Sequence, residues 1–382
     1  MRLPHRRITT TGVAALVLTL VLAACGSPAS TTAPSSPISA EVRPASLLLT
    51  PQPTPGPIVF PRDDGTHTDL TEWWYYTGHL ATKDGKQFGF EFVIFQGNRS
   101  GFPPTYAAHF AITDIASKGF HYDQRTQIGG QASNTKAIDL AVGDWSIAGD
   151  GNHEQLTAAM PGYTLNINVV SQKPPVLHNG GYFEWAPATG SYYYSRTNMS
   201  VTGTLAINGA PVDVTGQAWM DHQWGNFLLI GGGGWDWYSI QLDDGRELML
   251  WHSRDAKNQI TFGNGTLVDK DGTAHPLARA DFSITPTGNW TSPTSLITYP
   301  SGWLINIPKL QLTLRLNPVV KNQELDTTSS TGVVYWEGDV QIDGSQNGNP
   351  VAGQGYVELT GYKQNFDIRP QLPVVPANPS MD

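Results

Sequence analysis

The segment KQFGFEFVIF, residues 86 to 95, alternates, so that Phe88, Phe90, Phe92 and Ile94 fall on one face. LQLTLRLN repeats the pattern with Leu310, Leu312, Leu314 and Leu316. A period of two marks a strand with one face against a core. The turn dipeptides Asp84-Gly85, Asn208-Gly209, Asp244-Gly245, Asp271-Gly272 and Asp343-Gly344 punctuate the chain. Such pairs accept the left-handed backbone that tight hairpins require. No long stretch keeps a 3.6-residue period. The prediction is an all-β chain of short strands joined by tight turns, in a sandwich or barrel.

The pattern also echoes itself. EWWYYTGHLATKDGKQFGFEF returns as GWDWYSIQLDDGRELMLW, and GQAWMDHQWG returns as GQGYVELTGY. Each half thus opens on an aromatic strand and closes on a Gly-Gln-x-aromatic-x-acid strand. Two matches in the same order predict two related β-domains, over 58–230 and 231–370, joined in the glycine run Gly231 to Gly234. The second copy has Leu359 where the first has His222, so the architecture alone does not demand the imidazole.

Composition supports an extracytoplasmic β-protein. Charged residues are 14% of the chain, against a usual quarter or so, while Gly (40), Pro (28) and Trp (12) are abundant. The formal net charge is −9, and no basic run offers a nucleic-acid surface. Arg2, Arg6 and Arg7 precede an apolar stretch of about 14 residues that ends in LAAC. That stretch is too short to span a bilayer and has the form of a signal peptide. It predicts a bacterial lipoprotein leader over 1–25, with Cys25 as the lipidated residue. The lone cysteine agrees, because it has no partner for an internal disulfide. Residues 26–57, rich in Pro, Ser and Thr, then form a tether. The expected location is the cell envelope, outside the cytoplasm and anchored to the membrane through lipid.

The densest chemistry lies in GQAWMDHQWGNF, residues 216–227, and the strand after it. On a strand, residues two apart share a face. Met220, His222 and Trp224 therefore point one way, and Trp219, Asp221 and Gln223 the other. In the next strand Trp235 and Trp237 share one face, and Asp236 and Tyr238 the opposite one. A cavity with His222 and Trp224 on one wall and Asp236 and Tyr238 on the other would suit acid chemistry on an unactivated alkene. A carboxylic acid buried among aromatics stays protonated. An indole face stabilises the carbocation by about 0.5–2 kcal/mol, and His or Tyr orients the water. The same residues also suit an aromatic-rich core strand, and the pattern leaves both readings open. No His-x-x-x-His, Cys cluster or paired-His spacing suggests zinc; His67, Asp69 and His79 lie close in sequence and could bind a metal, but none is expected.

Five segments carry a resemblance. DDGTHTDLTEWWYYTGHL, GYFEWAPATGSYYYSRTNMSVTGTL, GQAWMDHQWGNF, WDWYSIQLDDGRELML and YWEGDVQI followed by GQGYVELTGY resemble the lipocalin-like AttH and hydroxyneurosporene synthase (carotenoid 1,2-hydratase) group. Many of its members are labelled secreted hydrolases. The resemblance implies two consecutive lipocalin-like antiparallel β-barrels and an apolar, isoprenoid- or lipid-like ligand. It implies either cofactor-free hydration or hydrolysis, or a non-catalytic accessory role beside an ABC-type exporter. In the hydratase a His and a Trp two apart, and a Tyr and an Asp two apart, are implicated. His222 and Trp224 match the first pair. Asp236 and Tyr238 stand for the second in reversed order. Trp74, Tyr76, Trp219, Asp221 and Trp237 are the expected ligand-lining residues, with no cofactor.

Overall fold

Strands account for most of the chain. The computed structural model describes residues 55–130, 137–186, 189–227 and 233–362. Cys25, the leader and most of the expected tether lie outside the described residues, as do Gly231, Gly232 and everything beyond Tyr362. The first sheet is built from β1 (Thr71–Thr82), β2 (Gln87–Gly97), β3 (Thr105–Asp114), β4 (Gly119–Ile128), β5 (Ile138–Val142), β6 (Trp145–Gly149), β7 (His153–Met160), β8 (Tyr163–Ser171), β9 (Val176–Ala186), β10 (Thr189–Ile207) and β11 (Ala210–Gly225). Its order is β4-β3-β2-β1-β11-β10-β8-β7-β6-β5, with β9 also on β10. The end strands β4 and β5 touch, so the sheet curls into a nearly closed barrel.

The second half holds β12 (Gly234–Leu242), β13 (Glu247–Arg254), β14 (Ile260–Val268), β15 (Ala274–Ala278), β16 (Ser283–Pro286), β17 (Asn289–Thr291), β18 (Thr298–Pro300), β19 (Trp303–Ile307), β20 (Leu312–Pro318), β21 (Glu324–Thr327), β22 (Val333–Gln346) and β23 (Asn349–Leu359). Its sheet runs β15-β14-β13-β12-β23-β22-β20-β19-β16, with β21 on β22 and β17–β18 as a separate ribbon. In each sheet the first strand pairs antiparallel with the last, β1 with β11 and β12 with β23. This is the lipocalin-like architecture twice over, and the sequence echo is its trace. Gly216 and Gly353 hold equivalent places in β11 and β23. A Cβ on Gly216 would lie 1.9 Å from the His79 carbonyl oxygen, and one on Gly353 2.3 Å from that of Gln241. The glutamines that follow them meet, Gln354 Nε2 donating to Gln217 Oε1 at 3.3 Å.

Alternation decides which residues fill which space. Phe88, Phe90, Phe92 and Ile94 enter the first barrel, where Trp145 packs edge-on against Phe92 and Phe110. The odd-numbered residues of β1 and β11 face outward and meet β12, β22 and β23. There Tyr75, Val93, Phe183, Tyr193, Trp219, Trp237, Met249, Trp251 and Tyr356 form an apolar layer between the sheets. The second barrel has its own core around Tyr238, Trp303 and Trp336.

Two local expectations are corrected. Asp343-Gly344 is not a turn: both residues lie inside β22, and a Cβ on Gly344 would sit 2.1 Å from the Thr313 carbonyl oxygen. Close strand approach explains that glycine, and the hairpin turns instead at Asn347-Gly348, where both residues have positive φ. Leu310 belongs to a 3-10 turn, Pro308–Leu310, so the alternating strand begins at Leu312. The other four dipeptides do join consecutive strands.

Candidate functional site

Three neighbouring strands build one end of the first barrel. Trp74 of β1, His222 of β11 and Tyr194 of β10 are in register across the sheet, and Glu72, Trp224 and Tyr192 form the adjacent row. The segment before β1 lies over these rows. Phe60 packs edge-on against Tyr194 at 4.9 Å, and His67 stacks flat on Trp224 with ring centres 4.1 Å apart. Trp74 stacks on His222 at 4.6 Å.

Glu72 binds two imidazoles through one oxygen. His67 Nδ1 lies 2.6 Å and His222 Nε2 2.8 Å from Glu72 Oε1. Glu72 Oε2 accepts from the His67 backbone N–H at 2.8 Å and from Gln96 Nε2 at 3.1 Å. Glu72 and His222 are fully buried, whereas the His67 side chain keeps 18% of its surface exposed. Burial alone would raise the Glu72 pKa. Hydrogen bonds from His222 and His67 outweigh it and hold the carboxyl below its ordinary value. Burial works against charge on His67, but Glu72 and Asp63 prevail and raise it. His222 goes the other way: burial lowers it, and Glu72 offsets only part.

Beneath this group lies a second polar cluster. Tyr194 OH donates to Asp64 Oδ1 at 2.6 Å, and Arg196 Nη2 pairs with the same oxygen at 3.0 Å. Tyr194 OH also lies 3.3 Å from His222 Nδ1, which connects the two clusters. The Asp64 carboxylate occupies space that any side chain at Gly151 would fill, a Cβ there approaching within 2.3 Å. Tyr76 and Glu154 point into the same region fully buried, and burial drives the Glu154 carboxyl well above its usual range. The arrangement offers proton donors and acceptors in fixed positions against indole faces.

The expected pairing of His222 and Trp224 with Asp236 and Tyr238 across one cavity is not what the structure shows. The face assignments hold, but β11 and β12 belong to different sheets. Their outward faces meet, so their inward faces point into separate barrels. Trp219 and Trp237, at 5.9 Å, pack against each other between the sheets. Asp221 is there too, accepting from Tyr193, from Ser195 and from Trp219 Nε1. Of the expected ligand-lining residues, Trp74 and Tyr76 line the first barrel, whereas Trp219, Asp221 and Trp237 serve the layer between sheets. Asp236 lies in the second barrel, held by Arg254, by Tyr362 OH at 3.0 Å and by His252 Nε2 at 3.1 Å. Tyr238 packs edge-on to Trp303 in that core. His67 leaves Asp69 and His79 for Glu72, and His79 instead faces Asp339 on the outward side.

Sequence reasoning missed Glu72, Tyr194, Asp64 and Arg196, and assigned His67 to the wrong neighbours. One signal was present: alternation puts Glu72 on the same face as Trp74 and Tyr76, an acid on an apolar face. At the equivalent position in the second barrel, Leu359 is fully buried in the core where His222 stands in the first.

A family model described as AttH-like matches residues 51–362. A crystal structure assigned as AttH from Nitrosomonas europaea is 31% identical over 82% of this chain and all of that one, with a TM-score of 0.74. Kievitone hydratase from Nectria haematococca shares the fold at 18% identity, with a TM-score of 0.65 over 79% of this chain and 92% of its own. No curated protein matches the chain. The chain belongs to the AttH-like family.

Proposed function

We infer that the Glu72–His222 end of the first barrel binds an apolar small molecule and adds water to it, by hydration or hydrolysis without an organic cofactor. The observation that carries this reading is the placement of a fully buried His222 between Trp74 and Trp224, hydrogen-bonded to Glu72. A hydratase among the proteins of similar fold supports the reaction class. In the hydration version one imidazole gives its proton to an alkene carbon, and the other takes a proton from the water that forms the new C–O bond. Glu72 bridges the two, so the trio returns to its starting charge. Trp224 and Trp74 stack on the two imidazoles, so that indole rings flank the positive charge between those steps.

The test is uptake of heavy oxygen from labelled water into apolar metabolites incubated with the protein. His222→Leu, the residue found at the equivalent place in the second barrel, should cut incorporation at least a hundredfold while the protein stays folded. Glu72→Gln should do the same. Unchanged incorporation in both variants overturns the reading. Saturable binding without incorporation assigns the carrier role beside an exporter instead.

We place this activity in the bacterial cell envelope, outside the cytoplasm and anchored to a membrane, with Cys25 lipidated and 26–57 as tether. Cys25→Ala should move the protein from the membrane fraction to the soluble extracytoplasmic fraction and abolish labelling by a fatty-acid analogue. Labelling that survives the substitution would rule the anchor out.

A further inference from the structure

The three side chains at the barrel end have a second capability. We propose that His67, Glu72 and His222 form a binding site for a divalent transition-metal ion, with Zn2+ as the preferred occupant. His67 Nδ1, Glu72 Oε1 and His222 Nε2 lie within 4.8 Å of one another. Two imidazole nitrogens and one carboxylate oxygen, with a further position left open, are the ligand set of catalytic zinc sites. The same donors suit Co2+ and Fe2+.

The atoms behind the ligands strengthen the assignment. Metal-bound histidines are oriented by a partner on the other ring nitrogen, commonly a carboxylate or another hydrogen-bonding group. His67 Nε2 faces Asp63 Oδ1 at 3.5 Å. His222 Nδ1 faces Tyr194 OH at 3.3 Å, and that hydroxyl is fixed by Asp64. Glu72 Oε2 is occupied by the His67 backbone N–H and Gln96, which leaves Oε1 to serve as a single ligand atom. The other polar atom of each ligand is thus held elsewhere, and the three remaining donors, now hydrogen-bonded to one another through Glu72 Oε1, lie together.

The donors now sit at hydrogen-bond separations of 2.6 and 2.8 Å. Ligand bonds of about 2.0–2.1 Å in a tetrahedron require the Glu72–His67 and Glu72–His222 donor pairs each to spread by under about 1 Å. Glu72 and His222 are fixed on paired strands, but His67 lies in the segment between the 3-10 turn Arg62–Asp64 and β1 and can supply the movement. Its partial exposure also opens a route for the ion.

The inference does not depend on turnover, and its test reads binding alone. Tag-free full-chain protein, stripped with a chelator, is titrated with Co2+ and followed by visible absorption. The expected result is one equivalent bound with a protein-dependent visible band, displaced by Zn2+. Glu72→Gln and His222→Gln should each weaken binding at least a hundredfold, and His252→Gln, in the second barrel, should leave it unchanged. Should Glu72→Gln fail to fold by thermal melting, His67→Gln replaces it with the same expectation. Absence of the band, or a band that the site variants leave intact, overturns the proposal.

Discussion

Replacing Asp221 with alanine should lower the unfolding free energy by about 3–5 kcal/mol, the largest loss expected from a single change outside the barrel cores. Asp221 is buried between the sheets and accepts from the Tyr193 hydroxyl, the Ser195 hydroxyl and Trp219 Nε1. Alanine removes the acceptor and leaves three buried donors to find others. Each donor left unpaired costs about 1–3 kcal/mol. Ser195 recovers part through His178 Nε2 at 2.7 Å, and Tyr193 keeps the bond donated by Trp237 Nε1 at 2.9 Å. Asp221→Asn retains one acceptor oxygen and should lose less than half as much. Denaturant unfolding with an unchanged slope checks both, and a loss under about 1 kcal/mol for the alanine variant would show that the bonds are not sustaining the layer.

Stability should fall steadily as pH rises above the mildly acidic range. The layer between the sheets holds further acids, Glu91 and Glu337 buried and Glu358 partly so. Burial, against a bond from Trp235, pushes the Glu358 carboxyl up to about 7, and burial pushes Asp221 up to about 6. Burial raises Glu91 as well, and burial with the charges of Glu358 and Glu91 raises Glu337. The folded state therefore holds these protons more tightly than the unfolded chain does. Their contribution is fully present below the ordinary carboxylate pKa and is lost as pH climbs through the raised values. For Glu358 the loss is on the order of 3 kcal/mol across that window. His109 and His178 act in the opposite sense. Burial lowers both to about 3, so their contribution is present above their ordinary value and declines as pH falls toward 3. These four acids, with Glu154 raised in the same sense, outweigh His109, His178 and the likewise lowered His222 and leave a net decline toward alkaline pH. Melting temperatures recorded from pH 5 to 9 should fall throughout, and Glu358→Gln should flatten the curve. Parallel curves for the two proteins would contradict the assignment.

Local pattern carried much of the fold. Alternation sorted β2, β11 and β12 into their correct faces, and Gly-Gln-x-aromatic-x-acid marked equivalent strands of two related sheets. Asn347-Gly348 was available as a turn signal, but Asp343-Gly344 drew attention because glycine serves close packing as well as turning. Partner choice was not legible. Glu72 and His222 are separated by 150 residues along the chain, and their contact depends on the register of β1 against β11. Alternation fixes a residue's face but says nothing about which strand lies beside it. For the same reason His222 and Asp236, near in sequence, were assigned to one cavity. They lie in separate barrels because the two strands meet through their outward faces.

Binding of an apolar probe by full-chain protein tests the central claim, that function resides at the first barrel's end. Retinol, an apolar polyene, is titrated while tryptophan fluorescence is recorded for the wild type, Trp224→Ala and Asp236→Asn. Saturable quenching by the wild type, at least tenfold weaker binding by Trp224→Ala and unchanged binding by Asp236→Asn are expected. Binding that survives Trp224→Ala but disappears with Asp236→Asn would contradict it and move the site to the second barrel.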